Sequence, residues 1–404
     1  VLLRDDRTRA RASRGLSTAL DADILIVGAG VAGLSLAYHL VERGLGGRRL
    51  VLVDPRRSYE NDRTFCFWNV VEHPFETLAS HQWPLWRVRG TAGWVVRSAP
   101  GLSYQHLPAD AFYRRVLDRL RATPGVELRL GVRAGAVGEK AGVASIECDT
   151  ETLRAGVVFD SRPPPRRAPT PGEVTLLQHF EGWHLRAEAG AAFEPGVATL
   201  MDFAVPQEHG IHFLYVLPYS RTEALVEATW FSERVVSDET YKRYLERYIR
   251  GELGIERWSV VRRERGVIPM STEPTPIRIG ERIYRIGLAG GMAKPSTGYA
   301  FQAIQRFSAD MAERLADSER PEPPPPRDIR ALAMDRVFLS YLARHPDRAA
   351  ATFETLFSRL DPALLVRFLS DRASVADALT VMRTMPVGPL TLETFRSVRL
   401  WARR

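Results

Sequence analysis

Cysteine is nearly missing from this 404-residue chain: Cys66 and Cys148 are the whole complement. A disulfide framework and any cysteine-based metal spacing are excluded, no metal site is expected, and a reducing, cytoplasmic setting follows. Lysine is almost as scarce, occurring only at Lys140, Lys242 and Lys294, so the formal charge of +8 is arginine's doing. No nucleic-acid partner is expected from that balance, and a basic surface equally suits anionic lipid heads. Long apolar runs are absent too. The longest, residues 24–40, carries three spaced glycines plus Ser35 and His39 and reads as strand, turn and helix. Nothing reads as a membrane-spanning helix or a secretory signal, and no internal repeat is found. What remains is 45% hydrophobic and 26% charged, enough for one large core or two smaller ones, and unlike a disordered or collagenous chain.

Residues 1–20 mix charges without an apolar period and read as a flexible basic tail. Proline marks two later breaks: RPPPRRAPTP at 162–171 reads as a surface loop, and RPEPPPPR at 320–327 as a Pro-rich linker. Beyond it, apolar residues recur at helical intervals in MDRVFLSYLARH, ATFETLFSRL, DPALLVRFLSD and SVADALTVMRTM, predicting a C-terminal helical subdomain over 328–404. Between the proline clusters, alternating runs such as IHFLYVLPYS and TEALVEATWFS predict an antiparallel-sheet substrate domain over 161–260.

The N-terminal part is more specific. DADILIVGAGVAGLSLAYHL holds a buried strand, then Gly28, Gly30 and Gly33 in G-x-G-x-x-G spacing, then a helix; RRLVLVD follows as a second strand ending in Asp54. The first glycine permits the turn, the second lets a pyrophosphate approach the backbone, and the third lets helix pack on strand. Unpaired N–H groups of the helix N-terminus suit phosphate, and Asp54 suits a ribose hydroxyl and disfavours a 2′-phosphate. An NAD enzyme continues with further βα units, whereas this chain inserts an antiparallel pattern and returns near residue 283 to RIYRIGLA. That plan favours FAD, in a discontinuous domain over 21–160 and 261–319. The expected fold class is therefore α/β: a Rossmann-type FAD-binding domain, an inserted antiparallel sheet and a C-terminal helical subdomain.

The late return leads into GLAGGMAKPSTGYAFQAIQ, residues 287–305. Gly287, Gly290, Gly291 and Gly298 let backbone come close to a flavin, and the following helix turns Phe301, Ile304, Phe307, Met311 and Leu315 inward. Free N–H groups near Thr297 to Tyr299 would favour negative charge on a reduced ring.

These residues carry a resemblance. With NDRTFCFW (61–68), VFDSRP (158–163), LYVLPYS (214–220), LVEATWFS (225–232), GVIPM (266–270) and RFLSD (367–371), the chain resembles the lycopene cyclases of the bacterial, FAD-dependent β-cyclase type, in order from about residue 21 to 390. The resemblance implies lycopene and related carotenes as substrate, reduced FAD with NAD(P)H as reductant, and peripheral docking on a membrane surface, because lycopene dissolves in lipid. Two departures stand out. The Gly-Asp of related hydroxylases is here Gly287-Leu288, and the family's Phe-Leu-Glu-Glu-Thr motif aligns with residues 225–229, keeping Glu227 but replacing the second glutamate by Ala228. Asp160, in FDSR, suits a ribose or riboflavin hydroxyl or is simply an aspartate in a strand-end turn.

Cyclisation adds a proton to a terminal alkene, closes a ring through the cation and loses a proton. It needs a carboxyl in a dry site, for which Glu227 is the candidate, and π-faces, for which Phe65, Phe67, Trp68, Trp230 and Tyr299 are candidates. Arg63 is read as a flavin or pyrophosphate ligand, or else a partner of Asp62 or Glu60. Two alternatives stay open: an FAD-dependent monooxygenase of the aromatic-hydroxylase type, and a carotenoid-binding flavoprotein without catalysis.

Overall fold

A computed structural model describes residues 20–149, 151–163, 172–188, 190, 192–385 and 393. The expected basic tail, apart from Leu20, and the proline loop at 164–171 lie outside the described residues.

The apolar strand Ala22–Val27 is buried at the centre of a seven-stranded sheet, paired in parallel with Leu50–Asp54 and Glu151–Asp160. Helix Val31–Arg43 packs on it together with helices Ala109–Arg121 and Phe301–Asp317 around one shared core. The late strand Ile283–Arg285 pairs in parallel with Glu151–Asp160, so distant parts of the chain close one βα layer. Phe301, Ile304, Phe307, Met311 and Leu315 all face that core, as their helical spacing predicts.

The second sheet also has seven strands, in the order Trp258–Ser271, Thr175–Ala187, Glu223–Ser232, Ile211–Pro218, Val197–Asp202, Leu85–Arg89, Trp94–Arg97. Its outer face is covered by helix Asp238–Gly251, which sets Tyr241, Leu245 and Tyr248 against Val226, Ala228 and Trp230. The inner face meets a three-stranded sheet of Thr64–Trp68, Tyr104–Pro108 and His81–Trp83, and the C-terminal helices.

The segmentation differs from expectation in three places. The second sheet recruits residues 85–97 from the first domain and runs to Ser271, because pairing rather than sequence order decides strand membership. The C-terminal helices share a continuous core with that sheet, Phe338, Phe353 and Leu356 joining Phe203 and Phe213, so they are a lid on it rather than a separate body. The Pro-rich stretch is no free spacer either. Tyr284 donates to the Pro321 carbonyl at 2.9 Å, and Arg327, fully buried, pairs with Asp335 and Asp371.

Candidate active site

At the nucleotide end, the glycines are explained by close approach. Gly28 has φ of +91°, and a Cβ on Gly33 would lie 1.9 Å from the Gly28 carbonyl oxygen. Gly30 faces open space within 4 Å and heads a helix without a side-chain cap, leaving N–H groups presented outward. Asp54, at the end of its strand, accepts from the backbone N–H of Ala29 at 2.6 Å and of Arg56 at 2.8 Å. Ser161 of the FDSR motif donates to the Val27 carbonyl at 2.9 Å and so braces the glycine turn.

Asp160 ends its strand with its oxygens held by Arg162 Nε at 2.9 Å and Nη2 at 2.8 Å. Arg63 likewise donates to the Asp62 carbonyl at 2.6 Å, with its guanidinium 3.7 Å from the Asp62 carboxylate.

In the late loop, Gly287 has φ of +65°, and a Cβ there would lie 2.6 Å from that of Ala32, so this glycine seats the loop on the first helix. Gly290 and Gly291 complete a short 3-10 turn, with a Cβ on Gly290 falling 2.6 Å from the Arg285 carbonyl oxygen. Gly298, at φ of +74°, crosses Gln178 of the second sheet so closely that a Cβ would meet its side-chain oxygen at 2.2 Å. One expectation is corrected here. The N–H groups of Thr297 and Gly298 are taken by the Lys294 carbonyl at 3.2 and 2.8 Å, and the helix starts only at Phe301, after an Ala300 N-cap without a side-chain bond. Thr297 Oγ1 and Gln178 Oε1 are buried beside this crossing without a hydrogen-bond partner among the described residues.

Glu227 lies on the inner face of the second sheet. Period two puts Leu225, Glu227 and Phe231 inward, and Ala224, Val226, Ala228 and Trp230 outward. Glu227 accepts a 2.8 Å bond from Thr229 Oγ1 on Oε1. Burial, and then the charge of Glu264, push its carboxyl up to about 8 against the Thr229 bond. Glu264 belongs to Trp258–Ser271, and the strand between them places Gly182 opposite both. Glu264 Oε2 accepts from Thr64 Oγ1 at 2.7 Å and Arg262 Nη1 at 2.8 Å.

On the other side of Glu227, Tyr215 is its cross-strand neighbour. Tyr215 donates to the Tyr104 hydroxyl at 3.0 Å, which lies 3.2 Å from that of Tyr299, and Trp68 packs against both Tyr104 and Tyr299. A line of aromatic hydroxyls thus runs from the strand beside the acid to the late glycine loop. Of the five aromatic candidates, Trp68 and Tyr299 belong to this wall. Trp230 does not: an odd number of residues from Glu227, it faces the outer helix and stacks on His212 at 3.7 Å. Phe65 and Phe67 also turn from the acid, because Thr64, Cys66 and Trp68 take that side of their strand. Both rings stack on Phe301, at 5.3 and 5.0 Å, and Phe67 lines a small cleft together with Trp68 and Tyr299.

Glu264, Arg262, Gly182, Tyr215 and Tyr104 escape sequence reasoning, because their sole signal is parity along strands whose pairing is unknown. The RFLSD segment gains a role as well: Asp371 and Asp335 clamp Lys294 at 2.8 and 2.9 Å, and Ser296 donates to Asp335 at 2.6 Å, tying the lid to the late loop.

The two sheets and their crossing define a fold held in common with flavin-dependent hydroxylases. The chain superimposes on a ternary complex of aklavinone-11 hydroxylase with FAD and aklavinone with a TM-score of 0.58 and 16% identity, covering 86% of this chain and 73% of that one. The sequence is narrower in what it matches. The family model described as "Lycopene cyclase protein" matches residues 23–394, and the chain belongs to the lycopene cyclase family, as the resemblance in its motifs implied. A lycopene beta-cyclase of Paracoccus sp. is 30% identical over 279 residues, 61% of this chain and 65% of that protein, so this match spans just under two thirds of the relative. The lycopene beta-cyclase of Pseudescherichia vulneris is 22% identical over 389 residues, 91% of this chain and 95% of that protein.

Proposed function

We propose that the protein is an FAD-binding lycopene β-cyclase. It converts the linear ends of lycopene into β-ionone rings, giving γ-carotene, β-carotene or both, with FAD reduced by NAD(P)H and no net redox change. The reaction is an isomerisation: one proton enters a terminal alkene, the neighbouring alkene closes on the cation, and one ring proton leaves. Glu227 carries the reading, as a buried carboxyl held up to about 8 on a face lined by aromatic rings. Below that pH it retains its proton, and Thr229 holds Oε1 so that Oε2 is free to donate. The resulting carboxylate keeps the Thr229 bond and takes the departing ring proton. Trp68, Tyr104 and Tyr299 present π-faces to the cation and exclude water that would quench it.

The residues present fit FAD. Gly28, Gly30 and Gly33 with the uncapped helix suit the pyrophosphate, and the unpartnered Thr297 Oγ1 and Gln178 Oε1 suit the polar edge of a flavin ring. Bound there, a reduced flavin would supply negative charge.

Lycopene lies in bilayers, so peripheral membrane docking from a cytoplasmic setting belongs to the same reading. Among the described residues no helix is long and apolar enough to cross a membrane. Val375, Leu379 and Met382 lie exposed at one-turn intervals on helix Val375–Thr384, which supports surface contact. The test is expression in a lycopene-accumulating bacterium with pigment chromatography and mass measurement. Wild type is expected to give ring-closed products isobaric with lycopene, and Glu227→Gln to lose at least about 100-fold in rate. An oxygenated product, or full activity in the variant, would overturn the proposal.

A further inference from the structure

We propose that Glu264 is a positioning residue for the acid: its carboxylate, fixed by Arg262 and Thr64 across the space left by Gly182, keeps the proton on Glu227. This inference rests on the reading of Glu227 as proton donor.

The geometry is a row across three strands. Glu264, Gly182 and Glu227 are direct cross-strand partners, and all face inward. A Cβ at residue 182 would stand 3.2 Å from Glu264 Cγ, 3.5 Å from Glu227 Cβ and 2.9 Å from Leu225 Cδ1, so any larger residue would wedge the two acids apart. Glycine is otherwise unfavourable inside a central strand, and here its missing side chain is what the two carboxyls need to sense each other. The carboxylate of Glu264 is anchored: Arg262 pairs with it at 2.8 Å, and that guanidinium also donates to the Asn61 carbonyl at 2.8 Å.

The other titratable groups around Glu227 are uncharged at neutral pH. From the neighbouring strands and the late loop, burial pushes the hydroxyls of Tyr215, Tyr104 and Tyr299 and the thiol of Cys66 up. Tyr219, beyond Tyr215, is pushed up in the same way. Burial lowers His106 to about 3 and also lowers His184 and His81. Among the described residues, Glu264 with its arginine is therefore the charged element on the face of the acid, and a like charge in a dry site opposes loss of the Glu227 proton. The departure at Ala228 takes on a different meaning. Residue 228 points to the outer face, so a second glutamate there would not share the face of Glu227, whereas Glu264 does.

The test is an infrared titration of the full-length protein as purified, following the carboxylic-acid carbonyl band that disappears in Glu227→Gln. Glu264→Gln is expected to move its midpoint acidward by about one pH unit, and Glu264→Asp to restore most of the shift. The alkaline limb of cyclisation, assayed with reduced flavin in lycopene liposomes, should move with it, so that the activity ratio between pH 8 and pH 6 falls about fivefold. Should Glu264→Gln fail to fold because its arginine is stranded, Arg262→Gln combined with Glu264→Gln removes the pair as a unit and is expected to shift the midpoint the same way. A midpoint that stays put in the folded single or double variant overturns the proposal. The titration needs no turnover, so it separates failure of the pairing from failure of the cyclase reading, which Glu227→Gln activity decides.

Discussion

At the scale of single residues, the site depends as much on missing atoms as on present ones. Gly182 separates two acids by nothing but space, and Gly33 allows helix and turn to touch. Gly33→Ala would force a methyl group to within 1.9 Å of the Gly28 carbonyl oxygen, a backbone atom that has no rotamer in which to escape. The expected outcome is a loss of about 1–3 kcal/mol in urea unfolding together with sharply reduced FAD retention, measured as flavin released per protein on denaturation. Retention equal to wild type would remove the turn from the cofactor site. Such glycines were legible in the sequence by their spacing. Gly182 was not, because nothing in EGW announces that it stands between two acids.

At the scale of elements, period two decides which side chains meet. Glu227 and Trp230 lie three apart, an odd separation, and so on opposite faces of one strand; the same rule turns Phe65 and Phe67 away from the side that Thr64, Cys66 and Trp68 share. Both corrections follow from parity that the sequence displays. Which face holds the acid is not displayed, since it depends on which neighbour covers it. Trp230 fills the outer core with His212 and Tyr241. Trp230→Ala should therefore cost about 3–5 kcal/mol in chemical denaturation while leaving turnover per folded molecule and the pH midpoint of Glu227 unchanged. A changed product or midpoint at full folding would return Trp230 to the site.

For the whole molecule, the buried cluster of Lys294, Asp335, Arg327 and Asp371 joins three distant stretches: the late glycine loop, the Pro-rich strap and the helical lid. Burial alone would raise the Asp371 carboxyl, but Lys294 and Arg327 hold it down at about 2. Its folded value being depressed, its stabilisation is present above the ordinary aspartate value near 4 and is lost as pH falls through about 2. Asp371→Asn leaves two buried cations short of a partner and should cost about 3–5 kcal/mol at pH 7, read by thermal or urea unfolding. The variant's stability should also vary less than that of wild type between pH 4 and 2, and limited proteolysis should release the C-terminal helices earlier. Equal protease resistance would mean that the apolar packing of the lid suffices by itself.

The sequence by itself determined the parts that are local: the glycine turn and its acid-ended strand, and the inward face of the helix from Phe301. Each is written in neighbours a few residues apart, whose spacing is set by backbone geometry. Only the tertiary structure decided that residues 85–97 join the second sheet, that the Pro-rich strap is tied down through Pro321 and Arg327, and that Glu264 shares a face with Glu227. Those facts depend on strand pairing and on which surfaces cover each other, and a sheet brings together residues whose separation along the chain bears no relation to their separation in space.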